Sequence, residues 1–261
     1  MSDFMLRAVI TGIMVAVMAA LVGVPIVLKK NSMLPDGLSH VGFGVFAIAA
    51  VMGLLPLYVA LPVVILVSFL ILRLGKSSKI NGDAAIAVMS VSSLAIGTFV
   101  VSLAGTDVDI DHFLFGSILS VGVGDMVMAA VTFVITLAFY AIFYNKIFAT
   151  VFDEKFAKAV GIKVDIFNMV FAVLCSVVVV LGMRVMGALL ISALIVFPTL
   201  ISRVIFKNFK GVVIFSAVIS AICLALGVLF SYLLAAPTGA TIVIVELVTY
   251  LVTLMFGKIF R

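Results

Sequence analysis

An aspartate and a histidine four residues apart are the strongest chemical signal in the chain: Asp36 and His40, in the stretch Pro-Asp-Gly-Leu-Ser-His-Val-Gly-Phe-Gly at 35–44. On a helix that spacing puts both side chains on one face, where a carboxylate and an imidazole can grip one cation together. Pro35 suits the start of a helix, and Asp36 can cap its first turn. Gly42 and Gly44 keep the same helix slim, so that another backbone can approach it. The surrounding sequence is close to continuous hydrocarbon. An ionisable pair there is costly and marks a functional site by default. A capping aspartate beside an interfacial histidine is the competing reading, and residue type alone does not choose between them.

Other polar residues interrupt the apolar runs. Glu246 sits in the middle of Ile-Val-Ile-Val-Glu-Leu-Val-Thr-Tyr at 242–250. It must be protonated, paired or facing water, because a carboxylate at mid-span costs about 2.5–3.5 kcal/mol on insertion scales. Tyr250, one turn on, is a candidate hydrogen-bond donor to it. Glu246 is therefore either an interhelix bond or part of a pathway. His112 lies beside Asp109 and Asp111, as an outer metal-collecting group or a solvated loop cluster. Asp83 reads as a helix cap, and Arg184 as a snorkelling residue at a span end. Cys175 and Cys223 stand alone in apolar runs without metal-type spacing, and read as small buried hydrophobes. HExxH, GxSxG, CxxC and the phosphate-binding GxxxxGK[ST] are all absent, which argues against a membrane enzyme and against ATP binding by this chain.

The elements that must position these groups follow from composition. Of 261 residues, 66% are apolar and 10% charged, against about half and a quarter in soluble domains. The chain is expected to be an all-helical integral membrane protein, since helices satisfy their own backbone groups in lipid. Its apolar runs predict nine spans: about 5–28, 36–56, 57–74, 83–104, 125–145, 166–183, 187–206, 211–235 and 240–257. The first span lacks a small-residue cleavage pattern and reads as a retained helix. A short apolar segment at 112–121 suggests a re-entrant or interfacial helix. Pro198 should break or kink its span. The net charge of +5 would suggest nucleic acid in a soluble protein. Here the Lys and Arg sit between spans, and all sixteen but Arg7 and Arg184 fall on one side of this layout. That side should be cytoplasmic, with the N-terminus outside and the C-terminus inside.

Residues 149–165 form the longest polar interruption. Asp153 and Glu154 lead, Lys155 and Lys158 follow, and Gly161 closes, as expected of a short helix with its dipole complemented at both ends. Phe152, Phe156 and Val160 recur every four residues and predict one apolar stripe. It could lie flat on headgroups or dock a cytoplasmic partner.

Taken in order, these segments resemble the permease subunits of ABC importers for zinc, manganese and iron. Asp36-Gly-Leu-Ser-His40 resembles the family's D-x-x-[SA]-H segment. Gly82-Asp-Ala-Ala-Ile86 is similar to its acid-Thr-Ala-Ile-Gly helix start, with Ala at 84 and 87. Asp109 through Leu119 resembles its D-x-x-x-x-L-F-G-x-[IL]-L run, and Phe152 through Gly161 the loop that engages the ATPase. Val185 through Pro198 resembles its V-G-[AT]-L-[LI] … P-A-A-[TS] span, although Thr199-Leu200 follows the proline. Pro237 through Val243 matches its outer turn. The resemblance spans nearly the whole chain.

It implies a single transmembrane permease domain with a fold like the vitamin (cobalamin) permeases of type II importers. It also implies a homodimer in a bacterial cell membrane, two cytoplasmic ABC ATPase subunits and an extracellular or periplasmic metal-binding protein. No cofactor would be bound, and a divalent metal would be carried between protomers around Asp36 and His40. The helix at 152–161, with Phe152, Asp153, Glu154, Phe156 and Gly161, would couple to the ATPase. Glu246 falls where the family pattern has small or polar residues, so its role does not carry over. A stand-alone proton-coupled transporter or channel using Glu246 is the alternative reading.

Overall fold

The computed structural model describes residues 3–75, 82–105, 116 and 121–259. The described residues form ten helices and no strand. They are α1 (Asp3–Leu28), α2 (Leu34–Val51), α3 (Pro56–Gly75), α4 (Gly82–Ala104) and α5 (Val123–Phe152). The short α6 (Glu154–Ala159) follows, then α7 (Val164–Met186), α8 (Ala188–Ile205), α9 (Phe209–Leu234) and α10 (Thr238–Ile259). All but α6 are long and apolar enough to cross a membrane. The expected segment at 112–121 lies almost wholly outside the described residues, as do Asp109 and His112.

Burial is ordered as a bilayer requires. The centre is apolar and closely packed: Val15, Met18, Val22, Leu38, Val178, Leu190 and Leu194 are enclosed on α1, α2, α7 and α8. The outer helices turn large apolar side chains outward, among them Leu66, Phe99, Ile142, Leu233 and Met255. In water such a surface would aggregate; in lipid it is the solvated face. With lipid on one side and apolar core on the other, helices are held by close approach and interhelical hydrogen bonds. The Ser220 hydroxyl donates to the Ala16 carbonyl at 3.0 Å, tying α9 to α1. The Tyr140 hydroxyl donates to the Leu21 carbonyl, tying α5 to α1, and Ser216 and Ser202 join α9 to α8 at 2.9 Å.

Several close contacts depend on glycine. A Cβ at Gly23 would stand 1.8 Å from the Ile195 carbonyl oxygen of α8. A Cβ at Gly44 would meet the Ser93 carbonyl oxygen at 2.3 Å, and one at Gly97 would meet the Gly44 Cα at 2.6 Å. Helices α2 and α4 thus cross backbone against backbone, the close approach expected for Gly44. Gly42 instead faces the Met183 side chain.

The span boundaries agree with the sequence to within a few residues, with three corrections. Helix α5 runs on from the expected 145 to Phe152, because Lys146 does not end it: its ammonium lies over the Phe143 ring, 5.3 Å from the centroid. Pro198 sits inside α8 without breaking it, and its carbonyl accepts from the Ser202 hydroxyl at 2.6 Å. Arg184 is not a lone snorkelling residue. It pairs with Asp125 at 2.9 Å, joining the end of α7 to the start of α5; Asp125 also accepts from the Gly122 N–H at 3.2 Å.

Candidate functional site: the acid–imidazole pair and its surroundings

Helix α2 begins at Leu34 after a tight turn. Lys30 adopts a left-handed conformation (φ 62°), and the Asn31 N–H bonds back to the Ile26 carbonyl at 3.0 Å, closing α1. Pro35 falls in the first turn, as its fixed φ favours. Asp36 does not cap the helix: the cap position is Met33, without a side-chain bond, and Asp36 lies inside the first turn. Its carboxylate is therefore unused by the local backbone.

Most of α2 is buried. Met33, Asp36 and His40 make up a line that stays open at the start of the helix. The Asp36 side chain is 55% exposed and that of His40 32%, with Asp36 Oδ2 and His40 Nε2 3.7 Å apart. That is too long for a hydrogen bond. It is close to the ~3.4 Å between neighbouring nitrogen and oxygen ligands on one tetrahedral zinc ion. His40 Nδ1 faces inward, buried and without a hydrogen-bond partner, so Nε2 is the nitrogen offered to the open side. Ser39, buried between the two, donates to the Asp36 carbonyl at 2.7 Å and lies 3.2 Å from the Ser192 hydroxyl of α8. The first turn of α2 is thus pinned while Asp36 Oδ2 and His40 Nε2 stay open. No cluster of three or more His, Cys, Asp or Glu is found among the described residues. Asp36 and His40 therefore stand as a pair on this chain, without a third such group beside them among the described residues.

Glu246 lies deep in α10, fully buried, and neither carboxyl oxygen has a hydrogen-bond partner among the described residues. The expected bond from Tyr250 does not form, because the Tyr250 ring turns to Phe197 of α8, with centroids 6.1 Å apart. Cys175 and Cys223 are free and buried, as expected. Asp83 stands in the exposed first turn of α4 and lines a cavity with Lys29, Lys30 and Asn31.

The polar interruption builds a short helix. Asp153, in extended conformation, ends α5 and caps α6, accepting from the Lys155 and Phe156 N–H groups at 2.9 Å each. Gly161, with φ 84°, closes it. The break at Asp153 means that Phe152, Phe156 and Val160 do not share one continuous helix, yet all three are about 60% exposed. Ala157 is the buried foot of α6.

Sequence alone held no hint of what fastens α6 to the bundle. The Lys29 ammonium reaches Glu154 Oε1 at 2.9 Å and Asn168 Oδ1 at 2.8 Å, and Asn168 Nδ2 lies 3.4 Å from the same Glu154 oxygen. Burial by itself would raise the Glu154 carboxyl. The hydrogen bond and charge of Lys29 outweigh it, with Asn168 and Lys158 adding to them, and hold the group below its ordinary value. A depressed carboxyl contributes stability that is complete above the ordinary carboxylate range and is lost as pH falls through the lowered value. The difference in thermal stability between wild type and Lys29→Met should therefore be constant near neutrality and vanish in acid, as read by unfolding scans across pH.

A family model described as the ABC 3 transport family matches residues 1–257. The manganese import system permease protein ScaB of Streptococcus gordonii is 30% identical over 250 residues, covering 96% of this chain and 90% of the relative. The manganese transport system membrane protein MntC of Listeria monocytogenes is 26% identical, covering 98% and 91%. Among solved structures, PsaBC from Streptococcus pneumoniae in complex with Fab superposes with a TM-score of 0.85 at 29% identity, covering 96% of this chain and 91% of that one. Nine helices long and apolar enough to cross a membrane among the described residues, and a sequence without a phosphate-binding loop, agree with a transport subunit whose ATPase is a separate protein. The chain belongs to the ABC 3 transport family, as a membrane-spanning permease subunit of a metal-ion ABC importer.

Proposed function

We propose that two copies of this chain form the passage of an ATP-driven importer of divalent transition metal, with Asp36 and His40 of each copy meeting the ion. The observation that carries this reading is the open acid–imidazole pair on an otherwise buried helix, two ligands that await two more. A homodimer supplies them by symmetry. Two carboxylates would offset the ion's charge where the dielectric is low. Two ligands per chain also favour release, since a conducting site must not hold too tightly. Carboxylate and imidazole suit manganese, zinc and iron alike; the names of the relatives favour manganese. The chain would lie in a bacterial plasma membrane with its N-terminus outside. A metal-binding protein would dock on the outer face, and two ATPase subunits would dock against α6. Reconstituted with its ATPase and binding protein, it should take up manganese on addition of ATP. Competition among manganese, zinc and iron then ranks the cargo, and absence of ATP-driven uptake of any of them overturns the reading.

Phe156→Asp places a charge on the most exposed apolar point of α6 and should abolish co-purification of the ATPase while leaving the permease folded. Unchanged co-purification would remove α6 from the docking surface. Glu246→Gln keeps the shape of a buried, unpartnered carboxyl and removes its capacity to ionise. ATP-driven uptake should survive it within about twofold, since this reading gives the Glu246 carboxyl no part in the path. Its loss would favour proton coupling through Glu246.

A further inference from the structure

We propose that Lys29, Glu154 and Asn168 form the latch through which movement of α6 reaches the Asp36–His40 pair, an inference that rests on the function proposed above. The three side chains belong to three elements far apart in sequence: the end of α1, the start of α6 and the first part of α7. They converge on one oxygen, Glu154 Oε1, with Lys29 bridging it to Asn168. The Lys29 side chain is only 18% exposed and that of Glu154 49%, so the pair is half-withdrawn from water. Such a pair contributes little net stability over an apolar contact of the same size, but losing one partner strands the other. That property suits a register device better than a glue.

The route from the latch to the ligands is short and stiff. Lys29 is followed by the tight turn in which the Lys29, Lys30 and Asn31 N–H groups bond back to Pro25, Val27 and Ile26. The Leu34 N–H then bonds to the Asn31 carbonyl and the Gly37 N–H to the Met33 carbonyl, both at 3.0 Å. The turn thus passes into the helical turn that carries Asp36 without a free hinge. Asn31 and Leu34 also line, with Lys29, Glu154 and Asn168, a cavity of about 80 Å³ beneath α6. Displacing α6 therefore pulls on Lys29 or lets it go. Either shift is delivered to the first turn of α2, whose Ser39 is braced against Ser192 of α8. Phe156, on the same short helix as Glu154, is exposed, and Phe152 just before it is exposed while its ring meets Phe209 of α9 at 6.0 Å.

The test uses the assembled importer in proteoliposomes, reading manganese uptake and ATP hydrolysis together. Lys29→Met and Asn168→Leu should assemble with the ATPase and hydrolyse ATP at the wild-type basal rate. The metal moved per ATP should fall about tenfold, within the usual range of coupling between sites. The reciprocal pair Lys29→Glu with Glu154→Lys should restore that ratio. A merely structural tie would leave metal per ATP unchanged whatever its effect on thermal stability, and that result overturns the latch. Failure of the exchanged pair to recover the ratio overturns it as well. If wild type itself moves no metal with ATP, the transport reading fails instead, and the two failures are told apart by that control.

Discussion

Asp36→Ala and His40→Ala should each reduce metal uptake to background in the reconstituted importer. Changing even an outer partner of a ligand costs about 10–100-fold in metal affinity, so loss of a ligand itself should cost at least as much. The structure makes these variants clean. Asp36 caps no backbone group and its side chain is half exposed. His40 Nδ1 has no partner to strand. Truncating either side chain leaves no buried group unsatisfied, and such changes usually stay within about 0.5 kcal/mol of wild-type stability. The permease should therefore be recovered in normal amount, bound to its ATPase, with normal basal hydrolysis. Wild-type uptake by either variant would remove the pair from the path.

Gly23→Ala should be the most damaging single methyl in the protein. Judged by helix propensity alone, alanine should stabilise α1 by about 1 kcal/mol. Packing reverses the sign. The added carbon would stand 1.8 Å from the Ile195 carbonyl oxygen, a backbone atom of a buried helix that cannot swing aside. Ordinary overpacking costs about 1–3 kcal/mol, and a backbone clash at the centre of the bundle belongs at or beyond the upper end. The expected result is a sharp loss of folded, monodisperse protein in detergent. Gly124→Ala on α5 is the control: nothing lies within 4 Å of its added carbon, and it should fold as wild type. Equal yields for the two variants would contradict the close approach of α1 and α8.

What the sequence reveals and what it hides divide along physical lines. Spans are legible because a helix in lipid must be long, apolar and bounded by polar ends, and each of those is local. The pairing of Asp36 with His40 is legible for the same reason, as four residues is one helical turn. Contacts between distant helices leave no such mark. Lys29 at a span end is fully explained by membrane orientation, so nothing in its neighbourhood announces Glu154 or Asn168, 125 and 139 residues away. Arg184 hides its pairing with Asp125 in the same manner. Gly23, between Val22 and Val24, looks like any small apolar residue; its necessity comes from the backbone it meets. Tyr250 is one turn from Glu246 and chemically suited to it, but its ring packs on Phe197.

If a travelling divalent ion is held by the open pair on α2, anomalous X-ray scattering from manganese in crystals of the assembled importer sees it most directly. A single peak is expected between protomers, within bonding distance of Asp36 and His40 from both copies, and it should disappear in the His40→Ala complex. A peak lodged elsewhere, with those side chains turned to lipid, would contradict the assignment of the pair to the path.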